Sequence, residues 1–271
     1  MIFYHYCSLK TFLSIINKRK LWFADLTKSN DINEFKYITQ LYKVYLDKEK
    51  NSSKKFTKEI EKSMSIINEV FAAYSIYGVC LTSENASKEM WQKYGDNYKG
   101  VCFGINVDEE IIKKGTLPNR IVDSMGEILQ CGYVKYYNSY DDLKTIFDEL
   151  FKEDKLAINH IKDLLSLAPL IKSASWSSEK EFRFVFVDYN NKVTEEYTKL
   201  KKLGSKILLP TSFCDEETNK KFRYYDFDLN LNCLSEIIVG YDCPKSIDEL
   251  KEELKNSIDL KNTKIYKSNC L

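Results

Sequence analysis

The sequence is poor in the residues that build several common kinds of site. Only 9 glycines and 4 prolines occur in 271 residues, which argues against collagen-like repeats, flexible linkers and glycine-rich phosphate loops. Two histidines, His5 and His160, leave little material for a histidine-rich metal centre. Lysine and arginine number 41 against 40 acidic residues, so the net charge of +1 offers no global attraction to nucleic acid or anionic membrane.

Familiar catalytic motifs and membrane segments are also lacking. The absence of GxxxxGK(S/T), GxGxxG, HExxH and GxSxG argues against kinases, Rossmann dehydrogenases, metalloproteases and serine hydrolases. The 8 cysteines form no CxxC pair, and no apolar run is long enough to cross a bilayer. Because MIFYHYCSLK does not resemble a signal peptide, we expect a soluble cytoplasmic protein with reduced thiols, no metal and no membrane partner.

The chain is rich in aromatic residues, with 19 tyrosines and 15 phenylalanines in an ordinary globular composition. Strand-like patterns predict strands at 2–7, 21–23, 74–82, 100–107, 127–137, 181–187, 205–210, 222–229, 234–240 and 263–267. Helical spacing predicts helices at 9–18, 31–45, 58–72, 86–94, 141–170 (broken near Pro169) and 246–256, with Ser8, Ser87 and either Ser29 or Asn30 as N-caps.

The order of these elements predicts the fold class. Helices cluster early and strands cluster late, which favours an α+β fold over a parallel βαβ fold. With no internal repeat and no low-complexity linker, the simplest organisation is a single domain over residues 1–271. It would carry a helical insertion at about 31–72 and a C-terminal extension of strands and a helix at about 190–271.

The segment SSEKEFRFVF is the most informative candidate site. On a strand, Glu179, Glu181 and Arg183 share one face, whereas the phenylalanines between them face the opposite side and supply a core. Two interpretations stay open at this point. The charged face either forms ion pairs on a solvated sheet surface, which contribute little stability, or lines a ligand site together with Trp176.

Two further blocks carry polar or aromatic residues near strand ends. In YHYCSLKTFLSII, His5 lies on a strand among aromatic residues, a setting in which histidine is more often structural than ligand-binding. In GVCLTSENASKEMWQKYGDNYKGVCFGINV, Ser83 ends a strand, and Trp91 and Tyr94 share one face of a short helix. Taken alone, these two aromatic residues are typical of a packed core.

Taken in order, the three blocks resemble the ADP-ribosyltransferase superfamily, in its poly(ADP-ribose) polymerase-like branch. That branch has a strand ending in His-x-Ser, followed by a short helix; here HYCS is one residue longer and TFLSII and KLWFAD follow. Its next strand, helix and strand are similar to GVCLTS, ASKEMW and GVCFGINV, and its glutamate motif is similar to EFRFVF from Glu181. The resemblance covers scattered blocks of residues 1–190 and implies a split sheet with mixed or antiparallel strands.

The chain also resembles an uncharacterised bacterial family, DUF2971. The pattern of that family couples an N-D-x-x-E element, here Asn30, Asp31 and Glu34, with a W-x-x-Y-G element and an E-x-E-x-R strand. The resemblance therefore links three separate parts of the sequence to one another.

The ADP-ribosyltransferase resemblance implies a chemistry in which NAD is the substrate and no metal takes part. Glu181 would bind the ribose 2′-hydroxyl while positive charge develops on that ribose, as in glycoside cleavage. His5 would bind the adenosine-side ribose, and Ser83 the nicotinamide or its ribose. Lys172 or Arg183 would contact the pyrophosphate. The acceptor of ADP-ribose would be a protein or nucleic acid of unknown identity, plausible in a toxin or phage-defence setting.

One departure from the superfamily pattern changes the expected stacking partner of nicotinamide. Cys80 stands where the superfamily has an aromatic residue, so Tyr77, Trp91 and Trp176 become the stacking candidates. The E-x-E pair is similar to the toxin-like branch, in which the earlier acid, here Glu179, acts on the acceptor.

Two hypotheses from other classes stay open. The same cleft could bind a nucleotide or a partner without turnover, which Cys80 and the proximity of Arg183 to Glu181 favour. Alternatively, the helices at 31–72 could dock a partner through an apolar face that includes Ile38 and Leu41. The enzyme hypothesis requires His5 and Glu181 to open onto one cleft.

Overall fold

The computed structural model describes residues 1–29, 31, 34–49, 62, 67, 69, 74–114, 128–150, 157–189, 211–214 and 221–270. Strands β1 to β12 span Ile2–Cys7, Lys20–Asp25, Tyr74–Thr82, Val101–Asn106, Ile128–Tyr133, Lys135–Tyr137, Ile171–Ser173, Glu181–Tyr189, Thr211–Cys214, Lys221–Asp228, Leu234–Val239 and Lys264–Lys267. Helices α1 to α7 span Leu9–Lys18, Glu34–Glu49, Lys88–Lys93, Glu109–Lys114, Tyr140–Leu150, Ala157–Leu167 and Ile247–Leu254. Short 3₁₀ turns cover Leu26–Lys28, Ala168–Leu170, Ala174–Glu179 and Leu231–Cys233.

Ten of the described strands form one sheet. Eight follow the order β12-β11-β4-β1-β3-β2-β10-β9, while β8 pairs with β3 and β5 pairs with β8. Every pairing in this sheet is antiparallel except that of β11 with β12. The predicted α+β class with a mostly antiparallel sheet is therefore confirmed.

Strand β3 is the point at which the sheet divides. Strand β8 pairs with the whole of β3 along one edge. The opposite edge is shared, because β1 meets β3 only at Tyr4 and Thr82, whereas β2 pairs at Gly78 and Tyr77. The middle of that edge, around Cys80, therefore lies in a gap between β1 and β2.

The two faces of the sheet carry separate apolar cores. Helices α1 and α7 contribute Phe12, Ile16, Leu250 and Leu254 to the core on the first face. The phenylalanines of β8 pack on this face, whereas Val185 and Val187 join α2, α5 and α6 on the second face. The predicted alternation along β8 is thus confirmed, and it gives the two second-face positions before Val185 to Glu181 and Arg183.

The predicted N-caps Ser8 and Ser87 are confirmed, whereas Ser29 ends the 3₁₀ turn Leu26–Lys28 and Asn30 lies outside the described residues. The Ser8 hydroxyl accepts a hydrogen bond from the backbone N–H of Thr11 at 3.1 Å, and the Ser87 hydroxyl accepts one from Met90 at 3.3 Å. Each cap supplies a partner for an N–H group that the first helical turn cannot satisfy. Helix α1 begins at Leu9, two residues after the end of β1, and α3 begins at Lys88, six residues after the end of β3.

Two predictions about the elements were wrong, and a third was right in part. Glu179 ends a 3₁₀ turn instead of extending the strand, because Lys180 adopts a left-handed conformation between them. The predicted strand 127–137 is two strands that join different sheets, because β6 leaves β8 to pair with β7. The predicted break of the helical stretch 141–170 near Pro169 is confirmed, because α6 is followed by the 3₁₀ turn Ala168–Leu170, while residues 151–156 of that stretch lie outside the described residues.

The apolar face of α2 is occupied within the chain. Ile38 and Leu41 are buried in the second-face core, together with Phe147 of α5 and Leu164 of α6. The prediction that these two side chains dock a partner is therefore wrong, since they have already found neighbours. The predicted strand 205–210 and most of the predicted helix 58–72 lie outside the described residues.

No helix in the described part of the chain combines the length and apolar character that crossing a bilayer requires.

Candidate functional site

A cavity of about 230 Å³ lies beside the point where β1 and β3 separate. Its walls come from β1, the segment after β2, β3, α3 and the stretch from Lys172 to Arg183. His5 and Glu181, which are far apart in sequence, both line it, so the expectation that they share one cleft is confirmed. Its lining includes Leu26 and Cys80 from the second-face core, Tyr4, Tyr6 and Met90 from a smaller core around Trp91, and Leu81 from the first-face core.

The three sequence elements of the DUF2971 pattern meet at this cavity. Asp31 comes from the first element, Tyr94 from the second and Glu181 from the third, and all three line the cavity. Their side chains reach it because the 3₁₀ turn after β2, the end of α3 and the start of β8 all lie at the divided end of the sheet. Residues that are distant in sequence thus share one small volume.

Glu181 is held by two buried cations. Its Oε2 lies 2.7 Å from Nη2 of Arg183 and 3.2 Å from Nζ of Lys172. Arg183 also donates through Nη1 to the carbonyl of Pro169 at 2.8 Å. Because Glu181 and Arg183 are two residues apart on β8, their side chains share a face. The ion pair is buried, with Arg183 only 1% exposed, so it is not the solvated surface pair that sequence alone allowed.

The second oxygen of Glu181 has a different environment. Among the described residues, every polar contact of this carboxylate reaches Oε2, which leaves Oε1 for a ligand in the cavity. The backbone N–H of Glu181 donates to the hydroxyl of Tyr136 at 2.9 Å, which fixes the start of β8. Burial raises the pKa of Tyr136 to about 12, so this hydroxyl stays neutral at physiological pH.

Glu179 lies behind the wall of the cavity. Its Oε1 accepts from the hydroxyl of Tyr94 at 2.6 Å, and its Oε2 lies 2.9 Å from Nζ of Lys172. Each carboxylate oxygen therefore has a partner, and because the residue is 0% exposed, neither oxygen is accessible to solvent. Burial and the neighbouring carboxylate raise the pKa of Tyr94, which keeps this hydroxyl a donor.

His5 bridges the gap in the sheet through its imidazole. Nδ1 lies 3.1 Å from the carbonyl oxygen of Cys80, and the ring edge packs on Phe103. A carbonyl only accepts, so Nδ1 carries the proton and Nε2 is the acceptor. Burial lowers the pKa of His5, although the bond to Cys80 offsets part of that effect. Among the described residues Nε2 has no hydrogen-bond partner, and the ring lines the cavity.

One of the three candidates for stacking lines the cavity. Trp176 does so, with Nζ of Lys93 4.9 Å and Nζ of Lys172 5.1 Å from its ring centre. Tyr77 and Trp91 are each 0% exposed inside the cores, where Trp91 packs edge-on against Tyr6. Neither ring offers a surface to a ligand.

Three further predicted contacts receive no support from the geometry. Ser83 is exposed, donates through its backbone to Lys180 at 3.3 Å and does not line the cavity. Lys172 and Arg183 line the cavity, but both are engaged by carboxylates and nearly buried, so a pyrophosphate would have to displace existing partners. No group of metal-binding side chains occurs among the described residues.

Sequence reasoning missed three residues that help to build the site. Tyr94 had a signal, since it is the tyrosine of the W-x-x-Y-G element, yet helical spacing assigned it to the core. Asp31 likewise belongs to a motif and lines the cavity. Tyr136 had no signal, because its role depends on the pairing of β6 with β7 beside the start of β8.

Comparison with known proteins adds one finding. Residues 90–184 match the model of a family described as a protein of unknown function, DUF2971. The matched segment contains Tyr94, Lys172, Glu179, Glu181 and Arg183, so it includes the buried ion-pair cluster but not Asp31 or His5. No curated protein and no solved structure shows significant similarity to the chain.

Proposed function

We propose that this protein cleaves the bond between nicotinamide and ribose in NAD and transfers the ADP-ribosyl group to an acceptor. The observation that carries the proposal is the shared cavity of His5 and Glu181, at which each presents one atom that the fold leaves available, Nε2 and Oε1 respectively. Both atoms are hydrogen-bond acceptors, and each could accept the single hydrogen bond that one ribose hydroxyl donates.

The chemistry requires no group beyond the chain and its substrates. The bond between C1′ of the ribose and the pyridinium nitrogen breaks, and its electron pair leaves with nicotinamide, which becomes neutral. Positive charge then develops on the ribose. An anionic oxygen that accepts a hydrogen bond from the 2′-hydroxyl stabilises this charge more strongly as the charge grows. Oε1 of Glu181 would supply that oxygen. The acceptor, a macromolecule or water, forms the new bond to C1′ and loses a proton to solvent.

The volume of the cavity agrees with partial enclosure of the substrate. About 230 Å³ is smaller than the roughly 300–1,000 Å³ of pockets that enclose most of a drug-sized ligand. We therefore assign the cavity to the reacting nicotinamide ribose, with the rest of the dinucleotide outside it, so His5 would contact this ribose instead of the adenosine-side ribose. Trp176 is the aromatic surface available to a flat ring at this site. The acceptor class stays open between protein and nucleic acid.

A test needs NAD labelled in the nicotinamide ring and three proteins: wild type, Glu181→Gln and Glu252→Gln. The last replaces an exposed acid of α7 and serves as a matched control. We expect wild type and Glu252→Gln to release nicotinamide at equal rates, and Glu181→Gln to release it at least about a hundredfold more slowly. The NAD dissociation constant should change only a few fold. If wild type neither releases nicotinamide nor binds NAD, the proposal is excluded.

A second candidate is a module that binds a nucleotide without turnover. It is favoured by the two cations on Oε2 of Glu181, which weaken the negative field that the carboxylate exerts on a developing positive charge. Saturable binding of NAD by calorimetry, with no nicotinamide released over hours, would select this candidate over the enzyme.

A further inference from the structure

The ammonium group of Lys172 lies between two carboxylates. Nζ is 2.9 Å from Oε2 of Glu179 and 3.2 Å from Oε2 of Glu181. Lys172 is 4% exposed, so water contributes little to where the ammonium rests. Its position is decided by the groups that surround it, and Glu179 makes the shorter of the two contacts.

Glu179 is in turn anchored to another element. The hydroxyl of Tyr94, at the C-terminal end of α3, donates to Oε1 of Glu179 at 2.6 Å. A chain of polar contacts therefore runs from Tyr94 through Glu179 and Lys172 to Glu181. It connects α3 to the first residue of β8. Because every contact in the series is 3.2 Å or shorter, a shift of Glu179 would alter the position of Lys172 and, through it, that of Glu181.

Charges of both signs meet in this cluster. Two cations, Lys172 and Arg183, lie against two carboxylates, Glu179 and Glu181. Without Glu179, Lys172 would lose the shorter of its two contacts with these carboxylates and would act more strongly on Glu181, which would then stabilise positive charge less well. With Glu179 present, Lys172 is shared between the two carboxylates, so it orients Oε2 of Glu181 and offsets less of its negative charge than an unshared ammonium group would.

We infer that Glu179 is a positioning residue, which acts through Lys172 to direct Oε1 of Glu181 towards the substrate and is itself held by Tyr94. The inference rests on the proposed function and names the role of the first glutamate in the E-x-E pair. Direct action of Glu179 on an acceptor is incompatible with a carboxylate that has no exposed surface and two existing partners.

The leading variant is Tyr94→Phe, which removes one hydroxyl and no charge. It should lower kcat for nicotinamide release about tenfold, the value expected for a lost hydrogen bond to a charged group, and change KM for NAD less than about twofold. Tyr98→Phe is the matched control, because Tyr98 lies on the same segment and its hydroxyl makes only a 3.4 Å contact to a backbone carbonyl. A purely structural role for Tyr94 would change both constants or reduce the active fraction.

A double-mutant cycle tests whether Tyr94 acts through Glu179. Since Tyr94 acts only through Glu179, Tyr94→Phe should lower kcat by less than about twofold in the background of Glu179→Gln. Full additivity of the two losses would overturn the inference.

A third measurement needs no turnover. The acetylation rate of Lys172, followed by mass spectrometry on ligand-free protein, should rise several-fold in Tyr94→Phe and stay at the wild-type value in Tyr98→Phe, with both unfolding midpoints near that of wild type. An unchanged rate in Tyr94→Phe overturns the inference even if nicotinamide is released. Conversely, absence of nicotinamide release from wild type would exclude the proposed enzyme, while the labelling still decides whether Tyr94 and Glu179 hold Lys172.

Discussion

Nδ1 of His5 lies 3.1 Å from the carbonyl oxygen of Cys80, at the place where β1 and β3 separate. The strands pair at Tyr4 and Thr82, and no further pair of theirs continues towards Cys80. An imidazole thus supplies the donor that a neighbouring backbone would have supplied in an undivided sheet. The same bond decides the tautomer of His5 and leaves Nε2 as an acceptor for the cavity.

Two substitutions distinguish the structural role of Nδ1 of His5 from the binding role of Nε2. His5→Asn places an amide N–H near the position of Nδ1 and removes the acceptor at Nε2, whereas His5→Ala removes both. We expect His5→Ala to lower the free energy of unfolding by about 1–3 kcal/mol and His5→Asn by less, because only alanine leaves the Cys80 carbonyl without its partner. Both should weaken NAD binding about tenfold. Urea unfolding and calorimetric titration measure the two effects, and retained affinity in His5→Asn would exclude a role for Nε2.

The lowered pKa of His5 predicts that the free energy of unfolding decreases at acid pH. Burial disfavours the charged ring in the native state, while the unfolded chain titrates near the ordinary value of about 6.5. Below that pH the unfolded state binds a proton that the native state does not, so stability falls as pH decreases towards the native pKa. Above it, this residue adds no pH dependence. Urea midpoints measured from about pH 5 to 7.5 should therefore decline less towards acid in His5→Asn than in wild type; parallel curves would contradict the assignment.

The buried cluster predicts a large cost for removing one cation. Lys172→Met leaves Glu179 and Glu181 facing each other with one cation fewer, and we expect a loss of about 3–5 kcal/mol in unfolding free energy. Combining it with Glu179→Gln should recover part of that loss, because the second change removes an uncompensated carboxylate. Chemical denaturation of both variants measures the difference. A double variant no more stable than the single one would show that the two charges do not compensate each other.

Cys80 gives a direct test of where the ligand binds. Its thiol lines the cavity and is partly exposed, whereas Cys7 and Cys102 are buried and burial raises the pKa of each. Iodoacetamide should therefore modify Cys80 ahead of these two. NAD at about ten times its Kd should slow that reaction about tenfold, since about a tenth of the sites stay free.

Cys233 is the control for that experiment, because it is partly buried and does not line the cavity. Its alkylation, read by mass spectrometry in the same samples, should not respond to NAD. Protection of both cysteines, or of neither, would contradict binding in the cavity.

The close packing of Gly100 against the backbone of β1 leaves no room for a side chain at this position. A Cβ at this position would lie 2.1 Å from the backbone oxygen of Cys7, which cannot move without disturbing β1. Gly100→Ala should therefore lower the free energy of unfolding by more than about 2 kcal/mol. Gly132→Ala is the matched control, since its nearest new neighbour is a leucine side-chain carbon at 3.2 Å that can shift. Equal unfolding midpoints for the two variants would contradict this account.

Sequence reasoning worked where neighbouring residues carry the information. The period-two pattern of EFRFVF correctly separated Glu181 and Arg183 from the phenylalanines, and Ser8 and Ser87 were recognisable as caps because capping depends on residues three positions away. The roles of Tyr77 and Trp91 could not be decided in this way. Their spacing allows either a core or a stacking surface, and only the neighbours on the other elements show that both are buried.

The amino-acid order by itself determined the caps that begin α1 and α3 and the face of β8 on which Glu181 and Arg183 lie. Tertiary structure alone decided that Lys172 would pair with Glu179 and Glu181, that Tyr94 would hold Glu179, and that His5 would reach Cys80 across the divided sheet. The physical reason is range. Side-chain alternation and capping act over a few residues of one segment, whereas ion pairs and hydrogen bonds in a buried cluster depend on strand register and on which elements the cores bring together.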